Sequence, residues 1–72
     1  MEIRDRLKEV REKLNMTQSE IAYHIGVTRK QYIRYEAGEN DMSAKKLQKF
    51  CIYTCTSADY ILGLETIGTK GM

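Results

Sequence analysis

The chain has 72 residues, of which 42% are hydrophobic and 31% charged, contains no Pro and no Trp, and carries a formal net charge of +2. Too short for two independent cores, it reads as one compact, mostly helical domain; its composition argues against disorder, and its charge balance neither demands nor excludes a polyanionic partner. The charge is unevenly spread, because residues 28 to 35 hold Arg29, Lys30 and Arg34 with no acidic residue, whereas the four basic and four acidic side chains of residues 37 to 72 cancel.

Ile3, Leu7, Val10 and Leu14 step by four, three and four, which predicts a first amphipathic helix with these residues on its inner face. It is expected to end near Asn15, a residue that tolerates the left-handed conformation often needed just past a helix. Thr17 followed by Glu20 is a capping box, so a second helix starts at Gln18, with Ile21, Ala22 and Ile25 facing inward. Gly26 supplies positive φ for a sharp turn. Thr28 with Gln31 opens a third helix, which runs to about Ala37 and stops at Gly38; Tyr32 and Tyr35 face inward, while Arg29, Lys30, Ile33 and Arg34 fall elsewhere on its surface.

Residues 39 to 42 form a polar loop. Ser43 then caps a fourth helix with Leu47, Phe50, Cys51 and Thr54 inside, ending near Cys55. Ser57 caps a short fifth helix carrying Tyr60, Ile61 and Leu62, with Asp59 near its positive end. The domain is expected to span residues 1–65, with residues 66–72 a frayed, flexible tail.

The N-terminal residues Met1 to Asp5 have no apolar run behind their charges, so neither a secretory signal nor a membrane span is expected, and the protein is expected to stay in the cytoplasm with Cys51 and Cys55 as free thiols. No metal site is expected from these cysteines, since no second Cys pair and no histidine at ligand spacing accompanies them. His24, the single histidine, is read as a surface residue, and Tyr32, Tyr35 and Phe50 as core rather than stacking platforms. No carboxylate pair, Gly-rich phosphate loop or nucleophile with an adjacent base can be assembled, so the protein is not expected to be an enzyme and needs no cofactor or small-molecule ligand.

Two short helices joined by a turn on glycine make a helix-turn-helix, which requires a small residue at 22, a turn residue at 26 and apolar closure from Ile21, Ile25, Tyr32 and Tyr35. The chain resembles the phage-repressor and Cro-like helix-turn-helix proteins, the xenobiotic-response-element family. The resemblance rests on Arg11, on Thr17-Gln18-Ser19-Glu20-Ile21-Ala22, on Gly26-Val27-Thr28-Arg29, on Tyr35-Glu36-Ala37-Gly38-Glu39 and on Ser57-Ala58-Asp59-Tyr60-Ile61-Leu62-Gly63-Leu64, and covers roughly residues 3 to 64. Met42 departs from it, standing where the family often has proline.

The resemblance implies an all-α, five-helix lambda-repressor-like DNA-binding domain that acts as a transcriptional regulator, a repressor reading the major groove of a palindromic operator as a homodimer. It implies base contacts from Arg29, Lys30 and Arg34, with Gln31 and Ile33 as weaker candidates. Phosphate contacts fall to Gln18, Thr28, Asn40 and Lys45, and a structural ion pair to Arg11 and Glu36. The fifth helix, with Ile61, Leu62 and Leu64, is the natural dimer surface, unless the intramolecular core uses these residues. The competing reading is a protein-interaction or antitoxin-like module on the same fold with weak DNA binding; salt-sensitive affinity for duplex DNA separates the two.

Overall fold

The computed structural model describes residues 2–64, which form five helices: α1 (Ile3–Lys13), α2 (Gln18–Ile25), α3 (Arg29–Ala37), α4 (Ala44–Thr54) and α5 (Ala58–Leu62). The expected tail lies outside the described residues. Helix α2 packs against α3 and α4, α1 against α3 and α5, and α4 against α5. The shared core consists of Leu7, Val10, Ile21, Ala22, Ile25, Tyr32, Tyr35, Phe50 and Ile61, to which every helix contributes. Met42, in the loop before α4, packs half-buried on this core, so an apolar side chain anchors the loop where the family often has proline.

Each helix after the first starts on a hydroxyl cap. The side chains of Thr17, Thr28, Ser43 and Ser57 accept from the backbone N–H groups of Glu20, Gln31, Lys46 and Tyr60, satisfying donors that the helix itself leaves free. At Thr17 the Glu20 carboxylate also accepts from the Thr17 N–H at 2.8 Å, completing the box. At Thr28 only the hydroxyl half forms, so the Gln31 side chain is not tied to the cap. Helix α1 starts without a hydroxyl, and the Asp5 carboxylate accepts from the Glu2 N–H at 3.0 Å instead.

All five helices close in one way at the C-terminal end: a residue in the left-handed region lets the next N–H reach back five residues. Met16, Val27, Glu39, Thr56 and Leu64 donate to the carbonyls of Arg11, Ala22, Arg34, Cys51 and Asp59. Gly26, at φ +79°, takes this position between α2 and α3, where the reversal must fit within the two residues before the Thr28 cap. Asn15 and Cys55 adopt the same conformation with side chains, at φ +57° and +56°.

Two apolar residues expected inside lie outside. Ile3 and Leu14 are each 46% exposed, because α1 buries only its central turns, at Leu7 and Val10, against α3 and α5. Thr54 is buried because its hydroxyl donates to the Phe50 carbonyl one turn back, at 2.7 Å. On α5, Ile61 is buried while Leu62 and Leu64 are about two-fifths exposed, so the intramolecular core takes the first and leaves the other two on the surface. Tyr60 ties α5 to α1: its hydroxyl donates to the Glu9 carboxylate, and the Arg6 guanidinium lies 4.6 Å from its ring centroid. His24 is exposed and stacks on Tyr53 at 4.0 Å.

Candidate nucleic-acid interface

Burial of Tyr32 and Tyr35, three residues apart on α3, fixes the rotation of this helix. Arg29, Lys30 and Arg34 are thereby turned outward, and all three are exposed. Among the described residues none of the three is held in an ion pair. Gln31 and Ile33 are half-buried, so they present an edge of α3 rather than its crest. Helix α2 braces α3 from behind through the buried Ile21, Ala22 and Ile25. Ala22 is 2% exposed and leaves no space for a larger side chain at this crossing.

A polar network sets the entry of α2 against this edge. The Arg11 guanidinium donates from Nε to Glu36 Oε2 at 2.7 Å, from Nη2 to Glu36 Oε1 at 3.1 Å and from Nη1 to the Met16 carbonyl at 2.8 Å. Gln18 Nε2 donates to the same Glu36 Oε1 at 3.2 Å. One carboxylate thus joins α1, the first residue of α2 and the last turn of α3. Burial alone would raise the Glu36 carboxyl, but the hydrogen bonds from Arg11 and Gln18, with the Tyr32 hydroxyl close by, outweigh it and hold the group below its ordinary range. Its bond to Glu36 correspondingly raises Arg11. The enclosed Tyr32 hydroxyl stands beside this pair with no hydrogen bond of normal length and angle, and burial pushes its pKa up. An open groove over the network is lined by Lys8, Arg11, Gln18, Ile33, Glu36 and Ala37.

The remaining candidates surround α3. Thr28 caps it, exposed at the tight turn. Asn40 is exposed in the loop that follows, between Glu39 and Asp41, so it offers an amide without a local positive field. Lys45 is exposed in the first turn of α4. The structure adds cations that the sequence reading passed over. Lys46 Nζ donates to the Gly26 carbonyl at 3.3 Å, and a Cβ placed on Gly26 would stand 3.8 Å from Lys49 Nζ, so α4 brings two further amines to the α2–α3 turn. The signal was present, since α4 contains Lys45, Lys46 and Lys49 and no acidic residue. Arg4 is a second omission: it crosses the end of α3 and its Nη1 donates to the Ala37 carbonyl at 3.3 Å. Its partner is 33 positions away, and nothing local in the sequence announces the contact.

Among the described residues no cluster of three or more His, Cys, Asp or Glu side chains stands close enough to hold a metal, and no helix is long and apolar enough to cross a membrane. Cys51 is half-buried and Cys55 exposed, both as free thiols, with burial raising the pKa of Cys51.

A family model described as "Helix-turn-helix" matches residues 7–61. No curated protein sequence matches the chain. Its fold is similar to that of the P22 c2 repressor protein, solved in complex with synthetic operator 9T in the presence of Tl+; the TM-score is 0.81 at 22% identity, covering 86% of this chain and 94% of that one. The matched segment takes in all of α2, the Gly26 turn and α3, and the chain belongs to the helix-turn-helix family of the xenobiotic-response-element type.

Proposed function

We propose that the protein is a sequence-specific regulator that binds double-stranded DNA, acting as a repressor whose α3 enters the major groove of a two-fold symmetric operator. One observation carries this reading: the outward edge of α3 bears Arg29, Lys30 and Arg34, exposed and with no carboxylate paired to them among the described residues, on a helix whose rotation is fixed by buried tyrosines. An α-helix fits the major groove, and a guanidinium fork matches guanine N7 and O6, so Arg29 at the start of α3 reads a G. Lys30 and Arg34 read neighbouring positions. Gln31, free of the cap, pairs with adenine, and Ile33 meets a thymine methyl. Gln18, Thr28, Asn40 and Lys45 hold phosphates on either side and set the register without specifying sequence. The operator complex of the P22 c2 repressor protein supports the same use of the fold here. One copy presents one such helix, so a homodimer places two in successive grooves, about 34–36 Å apart.

The test is selection of bound duplexes from a random pool. A two-fold symmetric consensus, bound with an affinity that falls steeply as salt rises, is the expected result. An unenriched pool, or a complex indifferent to salt, rejects the proposal and favours a protein-interaction module on this fold.

A further inference from the structure

We infer that Glu36 is a positioning residue for DNA: it turns the side-chain amide of Gln18 so that an N–H, and not the carbonyl oxygen, meets the phosphate at the start of α2. The inference rests on the proposed DNA-binding function and deepens it. A glutamine amide carries an acceptor at one end and two donors at the other, and a free side chain presents either. A phosphate oxygen accepts only, so half of those orientations repel it. Glu36 Oε1 is likewise an acceptor only and lies 3.2 Å from Gln18 Nε2, so the opposite orientation would set two oxygens face to face. The carboxylate therefore engages one N–H and leaves the second for a ligand.

Glu36 can do this beside an anion because its charge is already met. Arg11 grips both of its oxygens, and its side chain is only 5% exposed. Arg11 also donates from Nη1 to the Met16 carbonyl, just before α2, so the pair also fixes where the helix begins. Gln18 and Glu36 both line the groove between α1 and α3, into which Ile33 of the readout helix also extends. The phosphate clamp and the reading edge are thus referred to one buried carboxylate.

A double-mutant cycle of Gln18→Ala and Glu36→Gln, read as operator affinity, tests the inference, together with the side-chain amide NMR signals of Gln18 in the free protein. Glu36→Gln also frees a positive charge on Arg11, but that effect is present with or without Gln18 and cancels from the coupling. Losing Gln18 should weaken binding about tenfold when Glu36 is present, the size of one charge-assisted hydrogen bond. In the Glu36→Gln background the same loss should shrink to about two- to threefold, as the Gln18 amide samples both orientations. The Gln18 amide protons should be shifted and slow to exchange in the wild-type protein. Equal losses in both backgrounds, or Gln18 amide signals in the wild type like those of a solvated side chain, overturn the inference while leaving DNA binding intact. The NMR result needs no variant, so it decides even if Glu36→Gln fails to fold. Failure of the wild-type protein to bind any duplex instead removes the proposed function, and this inference with it.

Discussion

Arg11 and Glu36, 25 positions apart, face each other with two hydrogen bonds of 2.7 and 3.1 Å and side chains only 11% and 5% exposed. Replacing a buried pair by apolar residues is often nearly neutral, but removing one member strands the other charge in a medium that solvates it poorly. Arg11→Met or Glu36→Leu alone should therefore cost about 3–5 kcal/mol, and the double replacement markedly less than the sum. Urea unfolding of the four proteins measures this directly.

The same pair sets a pH dependence. The Glu36 carboxyl is held below its ordinary value, so the stability it contributes is fully present above the unfolded value of about 4.3 and disappears as pH falls through the lower, folded value. The wild-type protein should consequently lose more stability between pH 6 and pH 3 than Glu36→Gln does, with the other carboxylates common to both. Parallel stability-pH curves for the two proteins would contradict the assignment.

Two left-handed positions have opposite expectations. Gly26→Ala puts a Cβ at φ +79°, at a cost of about 1–2 kcal/mol, with Lys46 Nζ at ordinary contact distance from the new atom. Cys55 already carries that strain at φ +56° on the surface, so Cys55→Gly should raise stability by up to about 1 kcal/mol. Thermal melting of both variants checks the two signs together.

Most of the fold was legible because it is specified locally. Hydroxyl caps at Thr17, Thr28, Ser43 and Ser57, left-handed closures at Asn15, Gly26 and Gly38, and the inward spacing of Tyr32 and Tyr35 all act within a turn or two of chain. What was misread depends on where helices cross. Ile3 and Leu14 fit the apolar period of α1 but extend past the helices that cover its middle. The exposed face of α3 could be read from its tyrosines, and the Arg11–Glu36 pair came from the family resemblance. The amines of Lys46 and Lys49 at the Gly26 turn, the reach of Arg4 to Ala37 and the grip of Glu36 on Gln18 are long-range contacts that no local pattern encodes.

Ala22 tests the brace behind α3. At 2% exposure it has no room to grow, and Ala22→Leu should cost about 1–3 kcal/mol through forced shifts of the neighbouring helices. Because the displaced neighbour includes α3, operator affinity should fall further than the loss of folded protein explains. Circular dichroism melting alongside binding assays separates the two effects.

Arg29 and Lys45 should differ in kind. Both are exposed, so neither Arg29→Ala nor Lys45→Ala should shift the melting temperature appreciably. Arg29→Ala should cost about 1–3 kcal/mol on the preferred sequence and relax choice at one base pair, whereas Lys45→Ala should weaken binding to all sequences alike and lower the salt slope by about one. Affinities on a panel of single-base operator variants at two salt concentrations resolve the pattern.

The most direct measurement replaces individual guanines of the selected operator by 7-deazaguanine, which removes the N7 acceptor from the major groove and leaves the phosphates and the minor groove unaltered. The wild-type protein should lose affinity sharply at one symmetry-related guanine pair, and Arg29→Ala should be indifferent to the same substitution. Full affinity for the deaza duplexes at every position would contradict the claim that the cationic edge of α3 reads DNA from the major groove.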